Sequence, residues 1–411
     1  MDMVILLGAP LTEQNISRVG FHELREKLSL KIFDCMPLLG RTIENFQLGN
    51  IDPSTIIKID SFHEFEYQLE KLRPKFALDF IASDEHILVL GKLLKKFNTT
   101  LVVQKTGNIP APRKIDVYGG IFSRSNKPHE LSVLSSGEME KFLTHPRKVV
   151  FKLASRFRQK INRVCESFKF RRLQNVVGLL AGNASLNSFT KNCKQIIWVA
   201  SNDYYIFNQA LLGRDKRNLD EMPSEFILFM DDSLPSASDW EVLGLKPPVT
   251  SNIYFMEMNN FFSNLEKMLN APVVIAAHPN AKNISELSAN FGFRRVVYNN
   301  SAQCALKTFL ILVHASTATS FAVLARKPII SITTNELLKS NYQSYVGSLS
   351  RELGSKLINI STDFDSGQIR NAMNLDLKKY DAFRRNYIIN EFVEEEDRWE
   401  SLIWLVKSSS G

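Results

Sequence analysis

The stretch FILFMDD, residues 226–232, is a run of five apolar side chains that ends in two aspartates. A short apolar run with a polar end is typical of a strand buried on both faces of a parallel sheet. In open sheets of this kind, ligands bind beyond the carboxyl ends of the strands, so the two aspartates mark a candidate site. Strand alternation sends Asp231 and Asp232 to opposite faces, so only one of them can face a ligand.

Similar runs alternate with helical patterns along the whole chain, which predicts an α/β fold with parallel sheets. The polar segment 212–225 resembles a linker between two such series. We therefore predict two Rossmann-like domains facing a central cleft, residues 1–222 and 223–370, and a helical tail, residues 371–411, that crosses back to the first domain. Strands are expected at 3–8, 55–60, 75–82, 100–105, 195–201, 226–232, 271–277, 295–299, 309–315 and 328–333, with helices at 62–72, 84–97 and 252–269.

The composition is that of a globular protein of 411 residues, 44% of them hydrophobic. Its 4 cysteines, with no CxxC spacing, predict neither a disulfide framework nor a zinc site, which fits a reducing cytoplasm. The opening MDMVILLGAP has no basic leader and is better read as a strand than as a signal peptide, and no apolar run approaches membrane-spanning length. The terminal SSSG resembles a linker, so we expect the chain to be one module of a larger multidomain protein.

The formal charge of +8 favours acidic partners. The cations concentrate in residues 146–172, where Lys and Arg recur between apolar residues at helical spacing and Glu166 is the only acid. This pattern predicts a basic amphipathic helix. It fits a solvated surface helix, or a peripheral contact with an anionic membrane or a polyanionic substrate, and no motif beside it indicates nucleic-acid binding.

Polar residues follow several predicted strands of the second half. His278, Asn280 and Lys282 follow the strand VVIAA, while Ser316 and Thr317 follow FLILVHA. His278 fits either a turn or a phosphate ligand. Ser316 and Thr317 fit either a helix cap or an anion site at a helix N-terminus. Because parallel strands end at the same edge of a sheet, we expect these groups to lie together and to bind a phosphate.

These motifs resemble a known family. AAHPNAK after one strand and STATSFAVLARKPIISI after a later one are similar to the nucleotide-sugar half of GT-B glycosyltransferases, and more narrowly to bacterial enzymes that use CMP-activated ulosonic acids. FILFMDDSLP, a long helix and HPNAK together resemble the retaining β-Kdo transferases of capsule and O-antigen assembly, of the WbbB type. The resemblance is strongest from Glu225 to Thr334. It departs from many GT-B enzymes at Phe321, where they carry a glutamate that contacts the nucleotide ribose.

The resemblance implies a GT-B-like fold and transfer of Kdo from a CMP-sugar donor to a lipid-linked or growing polysaccharide acceptor, in the cytoplasm or at the cytoplasmic face of the inner membrane. His278, Asn280, Lys282, Ser316 and Thr317 would bind the donor, and Asp232 would be the nucleophile of a double displacement. A monophosphate leaving group needs neutralising but does not demand a metal clamp, so no metal or cofactor is expected. The sequence does not identify the acceptor-binding residues, although Asp60, Ser83, Asp84 and Lys105 fall at strand ends.

Four alternatives remain open at this stage. Asp232 could be the general base of an inverting CMP-sialic acid or other ulosonate transferase. The chain could also be a non-catalytic GT-B module that binds glycan, or a nucleotide-sugar epimerase, since one fold serves many functions. Asp232 could equally be no more than a turn or cap residue at a strand end.

Overall fold

The computed structural model describes most of the chain. The described residues are 1–41, 49–81, 84–107, 109–110, 175–187, 190–214, 222–236, 240, 246–279, 281, 283–393 and 399–409, with residues 14 and 84–88 described by their backbone only. The chain divides into two compact units, and all described residues belong to the unit formed by Met1–Ile115 and Asn175–Gly411. The other unit, Asp116–Gln174, contains the whole predicted basic helix, residues 146–172, which lies outside the described residues.

A sheet of seven parallel strands forms the first half, in the order β3-β2-β1-β4-β5-β6-β7. The strands are β1 Met3–Leu7, β2 Leu30–Asp34, β3 Ile56–Lys58, β4 Phe76–Phe80, β5 Thr100–Lys105, β6 Val176–Leu180 and β7 Gln195–Trp198. All side chains of β1 are buried, as expected for a central strand covered on both faces. The strand order reverses between β1 and β4, which is the pattern of a Rossmann-like domain.

A second parallel sheet of six strands follows, in the order β10-β9-β8-β11-β12-β13. Its strands are β8 Ile227–Met230, β9 Val273–Ala276, β10 Val296–Val297, β11 Leu310–Val313, β12 Ile329–Thr333 and β13 Leu357–Asn359. The order reverses between β8 and β11, so the opening stretch FILFMDD forms the central strand beside the switch point. The predicted fold, with two Rossmann-like α/β domains in tandem, is confirmed.

Helices connect the strands. Numbered over the described residues, they are α1 Glu13–Arg18, α2 Phe21–Lys27, α3 Phe62–Leu72, α4 Asp84–Lys96, α5 Asn202–Leu211, α6 Ser251–Leu269, α7 Ile284–Asn290, α8 Ser301–Lys307, α9 Thr319–Leu324, α10 Asn335–Lys339, α11 Gln343–Leu353, α12 Ser366–Ala372, α13 Leu377–Phe383 and α14 Glu400–Ser408. Short 3₁₀ turns occupy Pro37–Leu39, Pro53–Thr55, Asn183–Ser185 and Thr190–Asn192. Among the described residues, none of these helices is long and apolar enough to cross a membrane.

Alternation along β8 divides the second core into two layers. Leu228 and Met230 pack in one layer, while Ile227 and Phe229 pack in the other with the aromatic face of α6. The Phe229 ring lies 5.3 Å from the ring of Phe262 on that helix. This alternation fixes which side of the sheet each residue beyond the strand end will enter.

The C-terminal tail differs from the single helix predicted for it. It consists of α13, a π-helical turn at Arg384–Ile388, an extended backbone at Ile389 and then α14. Tyr380 and Phe383 pack with the second sheet, whereas Trp399 and Leu402 pack with the first. The tail therefore does cross back to the first domain, and it does so after the break in the helix.

Three strands were not predicted. β2 contains Lys31 and Asp34, which interrupt its apolar pattern; β6 contains Gly178 and directly follows the basic stretch; and β13 is a three-residue strand with an exposed leucine at the edge of its sheet. The other ten strands were predicted: β5 has the predicted bounds, and the remaining nine are shorter than predicted by one to three residues.

Candidate functional site

The candidate site lies where β8, β9 and β11 end, side by side, at the carboxyl edge of the second sheet. β8 is followed by Asp231 and Asp232, β9 by Ala277 and His278, and β11 by His314, Ala315 and Ser316. The switch between β8 and β11 is the position at which open α/β sheets bind ligands, because the loops there diverge to opposite sides and leave a crevice.

Asp232 joins this edge to the loop after β11. Its Oδ2 accepts the backbone N–H of Ala315 at 2.8 Å and the hydroxyl of Tyr342 at 3.0 Å. The residue is half-buried, so these donors hold one carboxylate oxygen without enclosing the whole side chain. Tyr342 immediately precedes α11, and burial raises the pKa of its hydroxyl well above the usual value, with the charge of Asp232 adding to the shift. The Tyr342 hydroxyl therefore stays protonated and acts as a donor.

Asp231 is the more buried of the two aspartates, with only 3% of its surface exposed. Its Oδ1 accepts the N–H of Ser233 at 2.9 Å, but its Oδ2 has no hydrogen-bond partner within the described part of the chain. Burial raises the pKa of Asp231 to about 7 and the charge of Asp232 adds to the rise, whereas the backbone N–H groups of Ser233 and His278 oppose it. At neutral pH, Asp231 is therefore about half protonated, so on average the pair carries less than two full negative charges.

His314 is a buried support of the site rather than a ligand. Its Nδ1 lies 2.8 Å from the carbonyl oxygen of Ile332, which can only accept, so Nδ1 carries the proton. Burial lowers the pKa of His314, which keeps the ring neutral, and Nε2 then accepts the hydroxyl of Tyr254 at 3.1 Å. Both ring nitrogens are satisfied inside the core, so His314 does not have a nitrogen available for a phosphate.

His278 begins a turn at the end of β9. Its carbonyl oxygen accepts the N–H of Ala281 at 2.8 Å, and the hydroxyl of Tyr298 holds the next carbonyl, that of Pro279, at 2.7 Å. The side chain is half-buried and belongs to the loop next to Asp231. A turn residue can also bind an anion, so the turn reading is confirmed without removing the phosphate prediction. Asn280 and Lys282, predicted beside it, lie outside the described residues.

Ser316 and Thr317 form a turn before α9 rather than its cap. The Ser316 hydroxyl accepts the N–H of Ala318 at 3.3 Å, and the carbonyls of residues 316–318 accept the N–H groups of residues 319–321. The free helix N-terminus expected here is therefore largely satisfied within the chain, and α9 is only 6 residues long. Ser316 is half-buried and Thr317 exposed, so any contact with a donor would come from their side chains.

The remaining sequence predictions receive little support as site residues. Phe321, at the position that departs from GT-B enzymes, is buried in the core. Asp60 is exposed after β3 and Lys105 ends β5, whereas Ser83 and the side chain of Asp84 are not among the described positions. The sequence also contains one Asp-x-Asp spacing of the kind associated with metal binding, residues 363–365. Asp365 there caps α12, accepting the N–H of Gln368 at 2.7 Å, so the structure explains it as a capping box.

Comparisons with known proteins give fold-level likenesses only. No protein-family model matches the chain, and no curated protein matches its sequence. Among solved structures, MurG of Acinetobacter baumannii aligns over 99% of this chain and 100% of its own at 10% identity and a TM-score of 0.47. The UDP-GlcNAc 2-epimerase of Methanocaldococcus jannaschii, in complex with UDP-GlcNAc and UDP, aligns over 99% and 100% at 12% identity and a TM-score of 0.45. The wall teichoic acid polymerase TagF aligns over 99% and 89% at 10% identity and a TM-score of 0.47. Likenesses at this level do not indicate which reaction this chain performs.

Proposed function

We propose that the protein is a retaining glycosyltransferase that transfers Kdo from CMP-β-Kdo to a bacterial surface polysaccharide, with Asp232 as the nucleophile. The observation that carries the proposal is the setting of Asp232. It stands at the switch point of the second sheet, and two donors fix one of its carboxylate oxygens. A carboxylate held by one oxygen presents the other in a defined direction, which is what attack on an anomeric carbon requires.

The reaction divides into two displacements at the anomeric carbon. In the first, a lone pair of Asp232 Oδ1 forms a bond to that carbon while its bond to the phosphate oxygen breaks, and CMP leaves with the electron pair. In the second, the acceptor hydroxyl forms its bond, Asp232 leaves as a carboxylate, and the hydroxyl proton passes to solvent. Two inversions give net retention.

Two features support a donor with a single phosphate. His278 and Ser316 follow the strands on either side of β8, so an imidazole and a hydroxyl lie in the loops at the same edge of the sheet. Burial raises the pKa of Asp231 to about 7, so it carries only part of a negative charge at neutral pH and repels an anionic donor less than a full carboxylate would. The choice of Kdo as the sugar rests on the sequence resemblance alone.

The test is covalent capture together with product analysis. After incubation with CMP-β-Kdo without acceptor, intact-protein mass spectrometry should show one added Kdo on the wild type and none on Asp232→Asn. The Asn side chain keeps the shape of Asp but loses its charge, so transfer should fall by orders of magnitude while CMP binding survives. Asp363→Asn, the same change at an exposed position of the same half, is the matched control and should retain activity.

Other outcomes identify other functions. A product with inverted configuration would assign the reaction to an inverting ulosonate transferase. Near wild-type transfer by Asp232→Asn would show that another group is the nucleophile. An absence of CMP release from a panel of CMP-sugars would favour a different donor or a non-catalytic glycan-binding module.

A further inference from the structure

We infer that Tyr342 and the backbone N–H of Ala315 form a donor pair that stabilises the Asp232 carboxylate as it leaves the sugar, which makes Tyr342 a positioning residue for the second displacement. The inference rests on the proposed function, since it needs Asp232 to become an ester. It goes beyond that proposal because it assigns a step to a residue that no sequence motif indicated.

The geometry concentrates both donors on one atom. The Ala315 N–H and the Tyr342 hydroxyl reach the same oxygen, Oδ2, from separate parts of the chain, at 2.8 Å and 3.0 Å. A backbone amide and a buried hydroxyl aimed at one oxygen resemble the donor pairs that stabilise oxyanions in acyl transfer. Here the two donors stabilise negative charge on the Asp232 carboxylate rather than on the substrate.

The Tyr342 ring is held in place by packing that is tied to the loop carrying Asp232. It lies edge-on to Trp240 at 5.9 Å between ring centroids. The indole N–H of Trp240 donates to the carbonyl oxygen of Leu234 at 2.9 Å, two residues after Asp232. These contacts connect the Tyr342 ring, through Trp240 and Leu234, to the loop that carries Asp232. The Tyr342 hydroxyl is therefore oriented before any substrate binds.

The two displacements respond to this donor pair in opposite ways. Before the first step, Asp232 is a carboxylate and accepts strong hydrogen bonds, which lower its nucleophilicity. In the ester, Oδ2 is a carbonyl oxygen and accepts more weakly. As the ester breaks, charge returns to the carboxylate and the hydrogen bonds strengthen again, which lowers the barrier of the second step.

The decay of the covalent adduct tests this directly, with water as the acceptor. Wild type, Tyr342→Phe and Tyr345→Phe are loaded with CMP-β-Kdo, desalted to remove donor, and followed by intact mass. Removing one charge-assisted hydrogen bond should slow adduct decay in Tyr342→Phe by roughly tenfold to a hundredfold. CMP release in the first turnover should not slow. Tyr345 is the matched control, because its ring lies 6.2 Å from that of Tyr342 but is 42% exposed, and Tyr345→Phe should decay like the wild type.

The possible failures are distinguishable. An adduct that forms on all three proteins and decays equally overturns the role of Tyr342 and leaves the nucleophile intact. No adduct on any of them overturns the nucleophile and the inference together. If Tyr342→Phe slows both steps alike or melts at a much lower temperature, Tyr342 has a structural role only. Site-specific replacement of Tyr342 by a fluorinated tyrosine, a stronger donor of the same shape, should accelerate decay, and a slower decay would refute the inference independently.

Discussion

The protonation of Asp231 gives a prediction that follows from its burial. An Asp whose pKa rises from 3.8 to about 7 should be about 90% protonated at pH 6 and about 10% at pH 8. In isotope-edited infrared spectra of the folded protein, a protonated carboxyl band should therefore titrate near pH 7. The band should be missing from Asp231→Asn. A band that persists unchanged in Asp231→Asn, or a wild type without one at pH 6, would refute the assignment.

The same shift sets the sign of a stability effect. A carboxyl with a raised folded-state pKa contributes stability that is complete below its unfolded pKa and is lost as pH rises towards the folded value. The contribution of Asp231 should fall by about 2 kcal/mol between pH 5 and pH 7. Asp231→Asn should thus gain stability relative to the wild type across that interval. Asp60→Asn, an exposed change after β3, controls for loss of one carboxylate and should not show this trend.

Three further predictions concern other parts of the chain. Gly182→Ala should destabilise the protein by roughly 2–5 kcal/mol in chemical denaturation, since φ there is +69° and a Cβ would lie 2.3 Å from a backbone carbonyl oxygen of the C-terminal segment. Gly213→Ala is the control: φ there is +64° but a Cβ would have no atom within 4 Å, so the substitution should lower the free energy of unfolding by only about 1 kcal/mol. Equal destabilisation by the two substitutions would show that the close carbonyl contact at Gly182 does not matter. His278→Ala and Ser316→Ala should each weaken CMP binding in calorimetry with little change in melting temperature; wild-type affinity in both would remove them from the donor site. The basic stretch 147–172 should bind anionic liposomes in a salt-dependent way, and equal sedimentation with neutral lipid would make it an ordinary surface helix.

The sequence predicted the central strands because their apolar runs are long enough to be buried on both faces. It missed β2 and β6, where polar residues or a glycine interrupt the pattern while neighbouring strands still bury the backbone. It also predicted one continuous terminal helix, since periodicity does not reveal the π-helical turn at Arg384–Ile388 and the extended residue Ile389 that interrupt it. Local pattern therefore identified elements, and tertiary packing decided where they stop.

The candidate site was partly predictable, because local sequence patterns locate the ends of the strands. The rule that ligands bind beyond strand ends pointed to Asp232, His278 and Ser316, and the structure brings the loops that carry them to one edge. Tyr342 could not be predicted, because 110 residues separate it from Asp232 and no periodicity relates the two. The buried role of His314 did have a signal, since alternation along β11 places it in the layer of Leu310 and Leu312, the layer that also contains Tyr254.

The polar groups beneath the switch point are difficult to explain by stability alone. Buried oxygens without hydrogen-bond partners cost free energy. Within the part of the chain that the structure describes, Asp231 Oδ2 and Thr319 Oγ1 are two such oxygens, on the segments that leave β8 and β11. An apolar side chain at either position would remove that cost, as the neighbouring Met230 and Val313 show by packing fully buried. Stability alone would therefore favour an apolar side chain over an acid with one unbonded oxygen next to Asp232. The proposed function gives a reason to keep it, because an acid that is only partly ionised at neutral pH would limit the negative charge facing an anionic donor while the carboxylate of Asp232 attacks.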